Sequence, residues 1–380
     1  MIRKTRPFEV VREGTTEVFV LKEKQTRKGP GTRHGEPFYN PAMEMSRDLS
    51  VLVYQWFIQG SKKPVHLLDG LASSGIRGVR LAHEIPGEFM VTMNDWNEQA
   101  YQLIQKNIAH NHLQNASATQ HDLNVLLSQS SFDGVDIDPF GSPAYFVDSA
   151  MRNLSHNGIL ACTATDTAPL CGVYPLVCLR RYGAQPYHSP VMQEIGLRIL
   201  LGFLCREAGK YDKGIEPLLC HVTDYYFRVY VQIKQGKRNA NLNQENLTTI
   251  SVDQLPGFKN TKSTIHQIGP LWMGHLHKPL LIKQVRTDLF TKNMNTKHEL
   301  WMLLQLLEDE AEAPPFFYTM ESVAAALKTS PPRREYLFEK IREHGYTVTR
   351  THITPTGFKT TAPSSVIKTL FQQKKTGSDI

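Results

Sequence analysis

A carboxylate, a proline and an aromatic ring stand side by side in FDGVDIDPFGSP, residues 132–143. An apolar alternating run (Phe132, Val135, Ile137) ends at Asp138, and Pro139-Phe140 follows at once. Proline has no N–H to give to a central ladder, so the strand is expected to stop there. Asp138, the Pro139 carbonyl and Phe140 would then share the C-terminal tip of a parallel strand, where open α/β sheets bind their ligands. Such a trio suits holding an exocyclic amine in the plane of a flat base. The carboxylate and the carbonyl accept the amine hydrogens, and the ring stacks. The plainer alternative is a strand-to-helix turn with a capping Asp.

More acids fall at strand ends. VHLLDGLASSGIRGVR (65–80) reads as strand, small-residue loop and helix start, with Asp69 at the strand tip. Its glycines fit neither a dinucleotide fingerprint nor a P-loop, so no pyrophosphate cradle is indicated. The next strand ends at Asp95 in VTMNDWN, where an acid can accept both ribose hydroxyls, and Trp96 can flank an adenine face. The third ends at HDL (121–123), where Asp122 can accept from an adenine amine and Leu123 adds an apolar neighbour. One acid at a strand end is commonly a turn or cap residue. Four in succession at one sheet edge favour a site. The set suits S-adenosylmethionine, which is cationic at sulfur and needs acceptors for its adenosine. Arg47, one turn into a helix that starts near Met43, and Arg77, beside the glycine loop, can clamp a carboxylate bidentately. For Arg47 the competing reading is a pair with Glu44 or Asp48.

These residues need a scaffold, and the chain supplies its rhythm. Residues 64–234 alternate strand patterns (65–69, 89–94, 117–121, 133–138, 158–164, 217–223, 225–234) with helix patterns (75–85, 97–111, 143–154, 190–208). This predicts an α/β doubly wound sheet ending in an antiparallel hairpin. Residues 1–63 read as an N-terminal basic segment packing on that core. From about 231 the pattern turns polar and weakly periodic, followed by a helical run near 297–309. EDEAEAPP (308–315) reads as a linker or exposed loop. Helix patterns at 319–328 and 333–344, then GYTVTRTHITPTGFKTT, resemble a winged helix. So 235–380 is expected to form a C-terminal α+β domain.

Composition bounds the rest. The 380 residues are 41% hydrophobic, enough for two or three domains. There is no run of 18 or more apolar residues, so no membrane span is predicted. MIRKTRPFEV lacks a signal-peptide core, which points to the cytoplasm. The five cysteines form no CxxC pair and predict buried thiols, with no disulfide framework and no zinc. Charge is unevenly spread: residues 64–228 carry 11 basic and 16 acidic groups, whereas 1–63 carry 12 and 7, and 229–300 carry 10 and 4. An acidic middle between basic flanks suits a cationic cofactor in the core and a polyanion outside. The bland alternative is that these charges solvate surfaces.

Joined together, FYNPAM…SRD, DGLASSGIRGVR, NDWN, DIDPFGSP, ATDTAPLCG and EIGLRIL resemble the Trm1 family of tRNA (guanine 26) dimethyltransferases. The resemblance runs from about residue 9 to 365 and includes GPLW (269–272) and RTHITPTGFKTTAP (350–363). It implies a Rossmann-like class I methyltransferase domain followed by a family-specific C-terminal domain. It also implies S-adenosyl-L-methionine as cofactor and tRNA as partner. By resemblance Arg47, Arg77, Asp95, Asp122 and Leu123 fall on cofactor-contacting positions, and Asp138 on the catalytic carboxylate. Two departures matter. Many members carry paired, zinc-binding cysteines in the second domain, and this chain has none after Cys220. The family's His-Glu before GLRIL is here Gln193-Glu194, so Glu194 is left as a cap or salt-bridge residue.

The chemistry expected is methylation of a poor nucleophile, an amine delocalised into its ring. Asp138 and the Pro139 carbonyl accept the two amine hydrogens, and Asp138 takes the released proton. Phe140 stacks on the base, and Asp166, at the next strand tip, shapes the pocket or forms an Asx turn. Arg27, Lys28 and Arg33, with the basic second domain, are candidates for the phosphate grip. A monomer is expected. Two other readings stay open. One is an amino-methyltransferase of the same core acting on a DNA base or a protein amide, though such enzymes usually carry a D/N-P-P-Y/F tetrad. The other is an RNA-binding protein with a vestigial core, which predicts loss of the strand-end acids.

Overall fold

The computed structural model describes residues 7–22, 36–223, 225–256 and 265–372. A hairpin, β1 (Phe8–Glu13) and β2 (Thr16–Leu21), precedes helix α1 (Glu44–Gln59). Strands and helices then alternate: β3 (Val65–Asp69), α2 (Ile76–Glu84), β4 (Phe89–Asn94), α3 (Glu98–His110) and β5 (Ala116–Thr119). The alternation continues through α4 (Leu123–Gln129), β6 (Gly134–Ile137), α5 (Ala144–Asn153) and β7 (Ile159–Ala164). Two short helices, α6 (Thr167–Leu170) and α7 (Pro175–Tyr182), lead to the long α8 (Met192–Gly209) and the hairpin β8 (Lys213–Val222) and β9 (Phe227–Gln235).

The seven strands order as β5-β4-β3-β6-β7-β9-β8. Strand β9 is antiparallel to β7 and to β8, and the other pairs are parallel. This is the expected class I methyltransferase sheet. β6 and β7 are apolar almost throughout because helices cover both their faces and every residue is buried. Chain order reverses between β3 and β6, so a crevice opens outside their tips. Asp69 and Asp138 lie at those two tips. Two glycines let helix α2 start there. Gly75 caps it at φ 78°, in the left-handed region. A Cβ on Gly78 would come 2.2 Å from Met93 Cγ, so the helix packs on β4 only because that atom is missing.

Beyond β9 come α9 (Lys237–Glu245), β10 (Leu247–Ser251) and β11 (Gln267–Trp272), an antiparallel pair where the sequence showed only weak periodicity. Then α10 (Pro279–Asp288) and α11 (Lys297–Asp309) pack against each other. A last unit combines β12 (Tyr318–Thr319), α12 (Met320–Leu327), α13 (Arg334–Glu343), β13 (Val348–Arg350), β14 (Gly357–Thr360) and α14 (Ser364–Gln372). Its strands order as β12-β14-β13.

Residues on both sides of 234 share cores. One face of the sheet gathers Ile137, Val147, Leu200 and Phe227 with Ile250, Ile268, Leu271 and Phe317. The other gathers Leu52, Leu67 and Val91 with Leu281, Val285, Leu300 and Leu304. Only the last unit has its own cluster, around Val323, Leu337, Phe358 and Ile367.

The stretch 308–315 differs from the exposed linker its composition predicts. Glu310 is buried, accepting from the His352 ring, with Lys359 Nζ 3.8 Å away. Glu194 is buried too. It accepts from Arg198 at 2.8 Å, from Lys359 at 3.0 Å and from the Phe316 backbone N–H at 2.7 Å. Glu194 thus ties the last unit to helix α8 and Glu310 ties it to the end of α11, and acidic composition misleads because these two acids find buried donors.

Candidate active site

A cavity of about 680 Å³ opens at the strand tips. Asp69, Asp95, Asp122 and Asp138 all line it, as do Leu123, Trp96, Arg47, Arg77, Pro139 and Phe140. Four acids read as separate strand ends therefore converge on one space.

The DPFGSP loop is pinned from behind. The Gly141 N–H donates to Thr165 Oγ1 at 2.7 Å, the Thr165 N–H donates to the Gly141 carbonyl at 2.9 Å, and Ser142 Oγ donates to the Tyr182 hydroxyl at 2.8 Å. Pro139 cannot add a donor to the ladder, so β6 ends at Ile137 and Asp138 turns into the cavity wall. The Asp138 carboxylate meets the Arg77 guanidinium. Arg77 also donates to Ser50 Oγ at 2.6 Å and lies 3.8 Å from Asp136. Asp136, two residues before Asp138, is fully buried and takes Arg228 in a bidentate pair at 2.9 and 2.5 Å. Burial alone would push Asp136 up, but Arg228 and Arg77 hold it below the usual carboxylate range. One chain of alternating charge, Arg228–Asp136–Arg77–Asp138, therefore fixes the strand tip.

Asp69 receives the Gly78 N–H at 3.0 Å. Burial first, then the neighbouring Asp136 charge, push it up to about 7, against the pull of Arg77. Asp95 accepts the Ser73 N–H on Oδ2 and the Asn97 N–H on Oδ1, each at 2.9 Å. Each oxygen keeps a second lone pair for a hydroxyl donor. Asp122 does cap helix α4, accepting from Asn124 and Val125 through Oδ1, and it lines the cavity as well. Cap and site are not alternatives here.

Arg47 differs from the intrahelical pairing weighed for it. Its guanidinium meets Glu13 of the N-terminal hairpin at 2.5 and 2.8 Å and the Asn40 carbonyl at 2.9 Å. Trp96 is 65% and Phe140 48% exposed at the rim. The Phe140 ring meets that of Phe38 edge-on, with centroids 5.3 Å apart. Asp166 is the one described candidate outside the cavity wall, where its neighbour Thr165 stands. It accepts from Arg181 at 3.0 Å and from Tyr182 at 2.6 Å, so it braces the wall from behind. Arg27, Lys28 and Arg33 lie outside the described residues.

Sequence reasoning missed Glu13, Phe38, Tyr145 and Arg228. Arg228 had a signal, since a cation inside the apolar strand FRVYV requires a buried acid. Glu13 had none, because its partner lies 34 residues away.

A second cluster of ligand-type side chains lies apart from the cavity. Ring nitrogens of His277 and His352 and a Glu310 oxygen lie within 4.8 Å of one another. The Cys220 N–H donates to His277 Nδ1 and the Val222 N–H to His352 Nε2. Each bond puts the ring proton on the nitrogen that faces Glu310. A metal needs that nitrogen bare and the other one donating. With Lys359 also beside Glu310, the donor set suits a His352–Glu310 hydrogen bond with His277 packed at 3.9 Å, and not a cation.

The sheet and the strand-tip cavity together define a class I methyltransferase. The sequence matches the family described as N2,N2-dimethylguanosine tRNA methyltransferase over residues 14–372, and the chain belongs to that family. A tRNA (guanine(26)-N(2))-dimethyltransferase of Pyrococcus furiosus is 37% identical over 383 residues, covering 94% of this chain and 97% of its own. That of Methanobrevibacter smithii is 35% identical over 352 residues, 88% and 91%. Trm1 of Pyrococcus horikoshii, solved with S-adenosyl-L-methionine, superposes with a TM-score of 0.83 at 33% identity, covering 95% of this chain and 99% of that one. Among the described residues no helix is long and apolar enough to cross a membrane.

Proposed function

We propose that this protein methylates the exocyclic amine of guanine 26 in tRNA, first once and then twice, using S-adenosyl-L-methionine. The observation that carries the reading is the position of Asp138. It stands one residue beyond β6, in the wall of the cavity that Asp69, Asp95 and Asp122 also line. The vestigial alternative requires those acids to be lost, and all four are present.

The cofactor supplies an electrophilic methyl on a positive sulfur. Asp95 accepts the ribose hydroxyls, Asp122 the adenine amine, and Leu123 and Trp96 flank the ring. Arg47 and Arg77 face the methionine carboxylate. Asp138 and the Pro139 carbonyl accept the guanine amine hydrogens. Those bonds strengthen as the nitrogen becomes tetrahedral and positive, which favours the transition state over the ground state. Asp138 then holds the released proton. Phe140 stacks on the base, which must first leave the tRNA stack at a cost of a few kcal/mol. The basic N-terminal segment with Arg27, Lys28 and Arg33, and the region 235–380, grip phosphates and offset that cost. After one methylation the amine keeps a single hydrogen, so one acceptor loses its partner. The second transfer is therefore the slower.

Mass spectrometry of nucleosides and of RNase fragments, after incubation with unmodified tRNA and labelled cofactor, tests the reading. Methyl label on N2 of guanine 26 supports it, and label elsewhere or none rejects it. Asp95→Ala should weaken cofactor binding by about tenfold to a hundredfold, the value of one or two buried charge-assisted bonds. A calorimetric affinity equal to wild type would remove Asp95 from the ribose. No metal is part of the proposal, since no cysteine follows Cys220 and the His277–Glu310–His352 protons face inward. Elemental analysis should find no stoichiometric zinc, and one ion per chain would overturn that part. A cytoplasmic monomer completes the reading.

A further inference from the structure

Beside the cavity, the turn between α6 and α7 and the outward face of α7 are apolar where a solvated surface would be polar. Val173, Tyr174, Leu176 and Leu179 are 50%, 57%, 70% and 47% exposed within seven residues. Helix α7 buries Cys178 and Tyr182. Helical spacing then sends Leu176 and Arg180, four residues apart, to the opposite side. Scattered apolar residues on a surface need no explanation, but a contiguous group rimmed by cations marks a contact surface.

The group joins the cavity directly. Thr165, which lines the cavity, precedes the Asp166 cap of α6. Asp166 accepts from Arg181 and Tyr182 of α7. Arg181 in turn interacts with the Tyr145 side chain, itself 66% exposed and part of the cavity lining. A base that enters the cavity past Phe140 and Tyr145 therefore brings its neighbouring nucleotides within reach of α7. Arg180 is exposed on that face. A base leaving a stack uncovers the flat apolar faces of its neighbours, and aromatic and aliphatic side chains are what cover them.

We propose that the α6–α7 turn and the outward face of α7 form a tRNA-contact surface, on which Arg180 meets a phosphate and Tyr174 and Leu176 pack against the nucleotides flanking the extruded guanosine. The inference rests on the tRNA reading, and wild-type turnover on the same transcript checks that reading separately. The full chain carrying Tyr174→Ala or Leu176→Ser is assayed beside wild type on unmodified tRNA. The KM for tRNA should rise about tenfold, as expected for one lost stacking or packing contact, while calorimetric affinity for S-adenosyl-L-methionine stays at the wild-type value. Arg180→Ala should lower the slope of log binding constant against log salt by about one. Unchanged tRNA affinity in the two apolar variants with an unchanged salt slope in Arg180→Ala overturns the proposal. So does a wild-type dimer that Leu176→Ser converts to a monomer with tRNA affinity intact, since the face would then lie between copies. If Leu176→Ser melts early, the salt slope of Arg180→Ala decides alone.

Discussion

Asp138→Ala should abolish methyl transfer, lowering turnover by about a thousandfold, while cofactor affinity stays near wild type. General-base groups are typically worth about a hundredfold to ten-thousandfold. Asp138 is assigned both the proton and one of the two amine bonds, which places it within that range. The loss should fall on kcat and hardly on KM for tRNA, because the bond strengthens only as the nitrogen pyramidalises. The fold should survive. Arg77 keeps Ser50 at 2.6 Å and Asp136 at 3.8 Å, so its guanidinium is not stranded. Asp138→Asn separates the two duties, since an amide oxygen still accepts a hydrogen bond but takes no proton. Single-turnover rates on unmodified tRNA measure both variants. Wild-type turnover in Asp138→Ala would remove the residue from the chemistry and leave its pairing with Arg77 as its only role.

The strand-end acids were legible because strand periodicity marks each tip without any knowledge of neighbours, and Gly70 after Asp69 and Pro139 after Asp138 sharpen two of them. Asp69, Asp95, Asp122 and Asp138 needed only that. The doubly wound sheet and its closing antiparallel hairpin followed from the same alternation. What was hidden are contacts between distant segments. Arg47 read as a carboxylate clamp, with a pair to Glu44 or Asp48 as the competing alternative, but Glu13 is the acid that reaches it, from a hairpin the sequence did not connect to the site. EDEAEAPP looked like a solvated linker because its composition is acidic and proline-rich. Glu310 is buried only because His352 and Lys359 come back to it from 42 and 49 residues later in the chain. Asp166 sits at a strand tip like the others, yet Tyr182 and Arg181 draw it behind the wall. Local pattern identifies tips, and tertiary charge pairing decides which way each side chain faces.

The buried histidines give the second large effect, loss of stability in mild acid. His221 and His277 are buried. Burial first, then the nearby His352 ring and the Arg228 guanidinium, hold His221 well below the usual histidine range. Burial also brings His277 down to about 3, with Glu310 opposing and His352, Lys359 and Arg198 assisting. Both therefore stay neutral in the folded protein while the unfolded chain takes up protons below about 6.5. The unfolded state then binds more protons, so folding stability falls as pH falls. Each histidine contributes about 1.4 kcal/mol per pH unit below 6.5, and Asp69, pushed up to about 7 in the fold, works against the pair by about one histidine's share, because the folded protein takes its proton first. Glu310 adds to this only at lower pH. Burial would raise it, but His352 and Lys359 bring it down to about 2, so its share is lost between about 4.5 and 2. Urea unfolding between pH 7.5 and 5 measures the slope. Both ring nitrogens of His221 lack a hydrogen-bond partner, so His221→Leu strands no donor. It should lower the slope by about 1.4 kcal/mol per pH unit, one histidine's share, while leaving His277, Glu310 and His352 in place. A slope in His221→Leu equal to wild type would mean that this ring is charged in the folded protein, and the neutral-core account of acid lability would fail.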